Sequence, residues 1–507
     1  MKTRFAFQPR YFLFWMASFV VAKAVFLIYH WARAAQLPAG TVPRIFGYGL
    51  RLDASAAAYL CVVPFVLFVL GSLAGPRFPL NRLLKGFTAV LGTVVAFFTV
   101  ADLELYRAWG FRLDATPLQY LSTPGEMAAS AGSAPLLLLA VLLAGLLAGG
   151  WWLYGRLVGP LPPLPPGFGR GRAALAGLLY LALLVVPLRG GLQQIPVNQS
   201  DVYFSARPFA NHAAVNVPWN VVNSLRLPNS GAANPYQFLP DTTARRLVGS
   251  FYAPTAAPDT VQVLRPGAKQ PNVLFIILES FTAKLVGHLG GETGVTPTLD
   301  SLARAGLSFT QVYAAGDRSQ KGLVALLSGY PNQPATSIIK YPRKTERLPH
   351  LARVLKQTGY STAYYHGGEL AFANMKSYLL AAGYDQLTER ADFARQDQNS
   401  KWGAHDHVLF DRMLRHLPQQ RQPFFVTAFT LSSHEPFEVP MPVRFPGTSE
   451  ADRFRNSVFY TDHVLGRFLR EASRQPWWPN TLVVLVADHG HPLPGDSPNH
   501  APEKFHV

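Results

Sequence analysis

The chain contains a single cysteine, Cys61, among 507 residues, and it lies inside an apolar run. No disulfide can form within the chain, so thiols say nothing of the compartment it occupies. Charge is scarce as well, at 15% of residues, against roughly 25% in soluble domains. With 49% of residues apolar, that deficit points to membrane segments. Acid is the scarcer sign: 29 Asp and Glu against 46 Lys and Arg leave a formal charge of +17. Such a surplus serves nucleic acid or anionic lipid. Here the arginines bracket hydrophobic stretches and form no dense basic run, which favours lipid and argues against nucleic acid. None of the apolar runs reads as a cleaved leader, because the first is long and four more follow it.

What is present divides the chain in two. Five stretches approach the roughly 20 apolar residues that a bilayer-spanning helix needs: 11–31, 54–75, 84–100, 134–154 and the shorter 173–188. Lys2, Arg4 and Arg10 precede the first; Arg77, Arg82 and Lys85 lie between the second and third; Arg156, Arg170 and Arg172 lie between the fourth and fifth. Counting basic residues places these loops in the cytoplasm and everything after about Gly190 outside. Within 102–130 the aromatics and arginines suit either a segment lying on the outer membrane surface or an ordinary loop. The expected organisation is a five-helix transmembrane domain at 1–190, an extracytoplasmic linker at 191–270 that reads as a tether packed along the outer domain, and that outer catalytic domain at 271–507.

From Pro271 the pattern alternates between strands and helices. Apolar runs predict strands at 272–278, 307–313, 361–365, 424–431 and 481–487, with helices at 297–305, 321–328, 348–357 and 449–473 between them. This order predicts an α/β domain with a largely parallel sheet covered on both faces. The runs are continuous, not alternating, as burial on both faces requires.

Chemistry gathers at the ends of these runs. NVLFIILES (272–280) delivers Glu279, and TLVVLVADHGH (481–491) delivers Asp488, His489 and His491. Glu279 reads as a site ligand or as an acid satisfying nearby helix amides. Asp-His-Gly-His closing an apolar strand has a metal-ligand composition. Ser319, in GDRSQKG (316–322), stands just before a helix between Arg318 and Lys321. It is a helix cap or a nucleophile, and a helix start favours phosphate. His366 and His434 also follow predicted strands. Four strand ends thus carry Glu, His, His and Asp-His toward one sheet edge.

These motifs, on a five-helix anchor, resemble the lipoteichoic acid synthase family, a membrane-anchored branch of the alkaline phosphatase and sulfatase superfamily. The chain looks like a Gram-negative-type homologue. The resemblance implies that Glu279, Ser319, Asp488 and His489 bind one divalent cation, most commonly Mn2+ with Mg2+ or Zn2+ as alternatives, and that Ser319 is the catalytic nucleophile. It implies that His434 and His366 contact the substrate phosphate; Arg318 and Lys321, flanking Ser319 at the helix start, are expected to bind substrate there by strengthening the field. His491 and His500 are candidates for a second metal or for supporting contacts. The chain departs from the pattern at Gly367–Met375 (GGELAFANM), where Ala373 and Met375 replace a Trp and an Arg. It also ends at Lys504–Val507, read as the start of a strand, and is expected to be truncated there.

The implied activity is transfer of phosphoglycerol from phosphatidylglycerol, through a seryl phosphoryl intermediate, to an extracytoplasmic glycan or lipid. The protein would sit in a bacterial inner membrane with its catalytic domain on the periplasmic side. A phosphoethanolamine transferase is the close rival. A sulfatase is disfavoured because Ser319-Gln320-Lys321-Gly322 lacks the Pro and Arg of the modified-residue context. A catalytically inactive glycan-binding protein is a further alternative. Oligomeric state is not readable from the sequence.

Overall fold

The computed structural model describes residues 6–75, 77–115, 117, 135–161, 169–226, 237–253, 270–333, 336–498 and 500–507. The chain forms two compact units, Met1–Thr260 and Val261–Val507.

Among the described residues of the first unit, five helices are long and apolar enough to cross a membrane: Phe7–Tyr29, Thr41–Ala74, Leu80–Trp109, Leu136–Leu157 and Arg170–Arg189. The second and third extend well beyond the stretches expected from hydropathy. Their extra turns carry charge that hydropathy penalises but the fold pairs. Asp53 accepts from Lys23 and from Asn216 Nδ2, and Asp102 pairs with Arg112 at 2.9 Å. Taking such groups out of water is tolerable only when they are paired and hydrogen-bonded.

The segment expected as a tether along the outer domain packs, between Gln199 and Leu225, on helices of its own unit. Asp201 binds Arg51 at 2.8 Å, His212 Nδ1 meets Tyr106 Oη at 3.0 Å, and Asn220 donates to Leu113 O at 2.8 Å. Sequence hid this packing, because its polar residues read as solvated and are in fact partners for helix charges. The candidate surface segment within 102–130 lies, for residues 116 and 118–130, outside the described residues.

Among its described residues the second unit is built on five parallel strands, β1 (Asn272–Leu278), β2 (Ser361–His366), β3 (Gln386–Thr388), β4 (Phe424–Phe429) and β5 (Thr481–Ala487), in the order β3-β2-β4-β1-β5. Successive side chains of a strand face opposite ways. Leu274, Ile276 and Leu278 therefore pack with Val426, Ala428, Phe410 and Phe468 on one face. Phe275 and Ile277 pack with Phe425, Leu323, Leu327 and Tyr378 on the other. Helices Asp406–His416 and Glu450–Ala472 cover the first face; Ser319–Ser328, Leu351–Gln357 and Met375–Ala382 cover the second. Each such buried Phe, Leu or Ile contributes roughly 1.5–3 kcal/mol. At the amino edge Asn272 ties three strands together, donating to Trp477 O and Thr481 Oγ1 and accepting from Phe424 N.

One expectation fails and another is met only in part. No strand forms at 307–313, where Tyr313 makes only an isolated antiparallel bridge with His506. Leu307 and Phe309 are exposed, so the run has apolar residues but no ladder to join. Within Lys504–Val507, Lys504 and Phe505 end a helical turn, Pro502–Phe505, begun by a proline at a position where its missing N–H costs nothing, and His506 then makes the bridge to Tyr313 while Val507 N donates to Val312 O at 3.0 Å.

Candidate metal and nucleophile site

Strand register places the two acids side by side. β1 and β5 are paired from Asn272↔Thr481 to Leu278↔Ala487, so the next residues, Glu279 and Asp488, leave the sheet together. Parallel neighbours are about 4.8 Å apart. His489 follows, with its Nε2 at 3.5 Å from Glu279 Oε1 and 3.6 Å from Asp488 Oδ2. One ligand atom from each of these three buried residues lies within 4.8 Å of the others.

The chain turns sharply here. Ser280 has φ 58°, a left-handed backbone rare outside glycine and frequent at functional sites. That turn lets Ser280 N donate to Asp488 Oδ1 at 2.9 Å and Ser280 Oγ donate to Glu279 Oε1 at 2.6 Å. No sequence motif singles out Ser280; its place directly after a strand-ending acid is the one usable signal. β4 buttresses the same end: Thr430 Oγ1 accepts from Glu279 N at 2.8 Å, and Ser433 Oγ donates to Glu279 O.

Ser319 opens helix Ser319–Ser328. Its Oγ donates to Glu279 Oε2 at 3.0 Å and lies 3.4 Å from His489 Nε2. Acid, imidazole and hydroxyl therefore meet at one point, with the helix start beside them.

The electrostatics follow from burial. Desolvation raises the Asp488 carboxyl, and neighbouring Glu279 raises it further. Desolvation would also raise Glu279, but His489, hydrogen-bonded to it, holds it below the usual carboxylate range. Burial opposes charge on His489, yet the two acids outweigh that and lift it to about 10. Two buried carboxylates this close require a compensating positive charge, from His489 or from a cation. Asp488 Oδ2 is buried without a hydrogen-bond partner, and an orphaned carboxylate oxygen among two further ligands fits a divalent cation.

The remaining candidates are distributed unevenly. His366 is buried at the end of β2, stacked on Phe429 at 4.9 Å, with Nδ1 donating to Phe429 O at 3.0 Å. Burial lowers its pKa, and the Glu279 charge acts on it. His434 acts electrostatically on Glu279, and its Nδ1 donates to Glu435 O at 2.9 Å. Arg318 is exposed at the helix cap. Lys321 is buried and paired with Asp317 at 2.8 Å, so its charge is largely neutralised locally. His491 does not join the ligand set. Its ring packs on Phe454 at 4.3 Å, its Nδ1 accepts from Leu493 N, and burial lowers it to about 4. His500 is exposed and also stands outside the set. Ala373 and Asn374 are both left-handed, with φ 50° and 63°.

Residues 271–507 match the sequence profile of the sulfatase family, described as Sulfatase. The lipoteichoic acid synthase-like protein YvgJ of Bacillus subtilis is 24% identical over 231 residues, which cover 44% of this chain and 37% of that protein. Phosphoglycerol transferase I of Xanthomonas campestris is 24% identical over 253 residues, covering 46% of this chain and 36% of that one. The match thus spans little more than a third of each of these curated relatives. A solved structure of a protein in the alkaline phosphatase superfamily from Vibrio parahaemolyticus is 30% identical, covering 54% of this chain and 68% of that one, with a TM-score of 0.47.

Proposed function

We propose, from the match of residues 271–507 to the sulfatase family, a membrane-anchored, metal-dependent transferase. It moves a phospholipid head group, phosphoglycerol from phosphatidylglycerol in our reading, to an extracytoplasmic glycan or lipid. The observation that carries this is the Ser319 hydroxyl donating to Glu279 at 3.0 Å beside the buried Glu279–Asp488–His489 set. Relatives named as lipoteichoic acid synthases and a phosphoglycerol transferase support it.

Ser319 Oγ attacks the phosphorus of the lipid phosphodiester. A Ser–O–P bond forms with loss of the Ser319 proton, the bond to the diacylglycerol oxygen breaks and that oxygen takes up a proton, and the seryl ester then passes the head group to an acceptor hydroxyl, which loses its proton as Ser319 regains one. Glu279 Oε2 receives the Ser319 O–H and so aims the oxygen's lone pairs outward. Glu279, Asp488, His489 and Ser319 would hold one divalent cation, Mn2+ in our reading, with Mg2+ or Zn2+ as alternatives. When bound, it lowers the hydroxyl pKa and offsets phosphoryl charge. His434 and His366 each donate Nδ1–H to a backbone carbonyl, so Nε2 can donate to a phosphoryl oxygen only when the ring carries its second proton. The start of helix Ser319–Ser328 favours the same negative charge. Arg318 adds to that field from the surface, while Lys321 acts mainly through Asp317.

Five apolar helices suit a substrate that lies in the bilayer, and the catalytic unit is read as periplasmic, on a bacterial inner membrane. Phosphoethanolamine transfer would use the same groups and is the second reading. The test is mass spectrometry of Ser319 after incubation with phosphatidylglycerol or phosphatidylethanolamine. A phosphoglycerol adduct is expected. An ethanolamine adduct alone moves the assignment to the second reading, and no adduct from either lipid overturns transferase chemistry.

A further inference from the structure

One helix of the first unit carries an apolar face that stands open. Asp241–Phe251 is 11 residues long, and none of them is buried. Ala244, Leu247, Val248 and Phe251 recur at the spacing that gathers residues on one side of a helix, and Tyr252 follows at its edge. Thr242, Thr243, Arg246 and Ser250 take the other side. Phe251 is 80% exposed and Tyr252 83%, with Leu247 and Val248 exposed beside them. Phe238 and Leu239, just ahead of the helix, are exposed as well. Isolated helices shorter than roughly 12–15 residues are marginal in water. A helix this short with such a face belongs against an apolar surface.

Charge distinguishes one surface from another. Arg245 and Arg246 are both exposed. Asp241, whose Oδ1 accepts from Gln237 Nε2 at 3.4 Å, is the single acid between Gln237 and Ala253, so the segment keeps a net positive charge. Phe, Leu, Val and Tyr on one side of a helix, with arginine away from them, is the composition of a segment lying between head groups and acyl chains. An arginine stem runs along apolar surface while its guanidinium meets phosphate. Tyr252, apolar in its ring and polar at its hydroxyl, fits the same layer. A protein partner would have to match apolar area and negative charge at one place, whereas a bilayer with anionic lipid offers both everywhere. Five helices of the same unit are long and apolar enough to cross one. Ser224, whose Oγ accepts from Ala115 N at 2.8 Å, fixes the chain to those helices 17 positions before Asp241.

We propose that helix Asp241–Phe251 lies on the surface of the bilayer, with Leu247, Val248, Phe251 and Tyr252 in its apolar boundary and Arg245 and Arg246 among anionic head groups. The inference goes beyond the transferase reading and depends only on a chain anchored in a membrane.

The test uses the full chain in nanodiscs of phosphatidylcholine with and without phosphatidylglycerol. An environment-sensitive fluorophore is attached at Leu247→Cys or, on the other side of the helix, at Thr242→Cys; native Cys61 is buried and escapes labelling. In discs with phosphatidylglycerol, the label at 247 should be quenched by spin-labelled lipid and shielded from aqueous iodide, and the label at 242 should show the reverse. Arg245→Glu combined with Arg246→Glu, or omission of phosphatidylglycerol, should lower the ratio of docked to free helix at least tenfold, on the scale of two arginines at an anionic surface. Both arginines are exposed, so the double variant keeps its fold. Equal lipid quenching at the two positions overturns the proposal. So does a label at 247 shielded from both quenchers, which would mean that protein covers the face. Lipid quenching unmoved by the charge reversal and by the omission of phosphatidylglycerol overturns the anionic surface. None of these readouts involves Ser319, so their failure is distinct from failure of the transferase reading.

Discussion

Gly322 backs directly onto Asp488: a Cβ at position 322 would stand 2.0 Å from the Asp488 carbonyl oxygen. The helix that presents Ser319 is thereby pressed against the strand end that presents the acid. Gly322→Ala must push the two apart, at a cost of roughly 1–3 kcal/mol as for other overpacked sites. The expected outcome is a lower melting temperature together with weaker manganese binding, read by differential scanning fluorimetry with and without the metal. Unchanged metal affinity would mean that the helix and strand end are not coupled.

Ser319→Ala removes the nucleophile and should abolish head-group transfer, while Ser319→Thr retains a hydroxyl in reach of Glu279 and should keep measurable turnover. Glu279→Gln removes one of two buried negative charges and should reduce manganese affinity at least tenfold by calorimetry, a difference of about 1.4 kcal/mol. Transfer by Ser319→Ala at the wild-type rate would exclude the seryl intermediate.

Adding a cation that binds only the folded site stabilises it by mass action, by about 2.7 kcal/mol at a hundredfold excess over Kd. Manganese should therefore raise the unfolding temperature of the full chain, and chelation should reverse the rise. Asp488→Asn should lose most of the shift, because it neutralises the carboxylate whose Oδ2 is orphaned. An equal shift in that variant would place the ion elsewhere.

Asp406 anchors the loop that carries His434, accepting from Leu431 N at 2.7 Å, Ser432 N at 3.2 Å and Thr461 Oγ1 at 2.7 Å. Asp406→Ala strands those buried donors, at roughly 1–3 kcal/mol for each group left unsatisfied. Denaturant unfolding should show a large loss of stability, with a parallel loss of turnover as His434 loses its support. A surface-like effect below about 0.5 kcal/mol would contradict this anchoring.

His350 supplies a pH dependence away from the ligands. It is buried, with Nε2 donating to Thr345 O at 3.1 Å and Nδ1 at 3.3 Å from Ser328 Oγ. Burial lowers it to about 4, with the nearby Arg353 charge acting the same way. The unfolded chain takes up this proton near pH 6.5. Its stabilisation is therefore complete above that pH and is lost as pH falls toward 4, by roughly 3 kcal/mol. His350→Gln should flatten the slope of unfolding free energy between pH 6.5 and 4.5, and an unaltered slope would assign the dependence to other groups.

How much of this was readable beforehand depended on range. β1 and β5 match their expected bounds, because continuous apolar runs mark strands buried on both faces. β3, three residues long, and helix Asp406–His416 carry no comparable run and were not anticipated. The grouping of Glu279 with Asp488 and His489 was legible because each closes an apolar run on what had to be one sheet edge. Trp402 was not: it reaches His434 only through the bridge between Gly368 and Gly403, a pairing that no local pattern announces. Lys321 looked available for a substrate because its partner Asp317, one helical turn away, also read as a loop residue.

The register of β1 against β5 makes the centre sensitive to length and tolerant of composition. Leu482, Val483, Val484, Leu485 and Val486 can exchange among apolar residues without moving Asp488. A single residue inserted or deleted in that run carries the acid about 3.3 Å along the strand and turns it to the opposite face. Engineered or natural variation in β5 should therefore accumulate as substitutions, with indels confined to the turns that flank it.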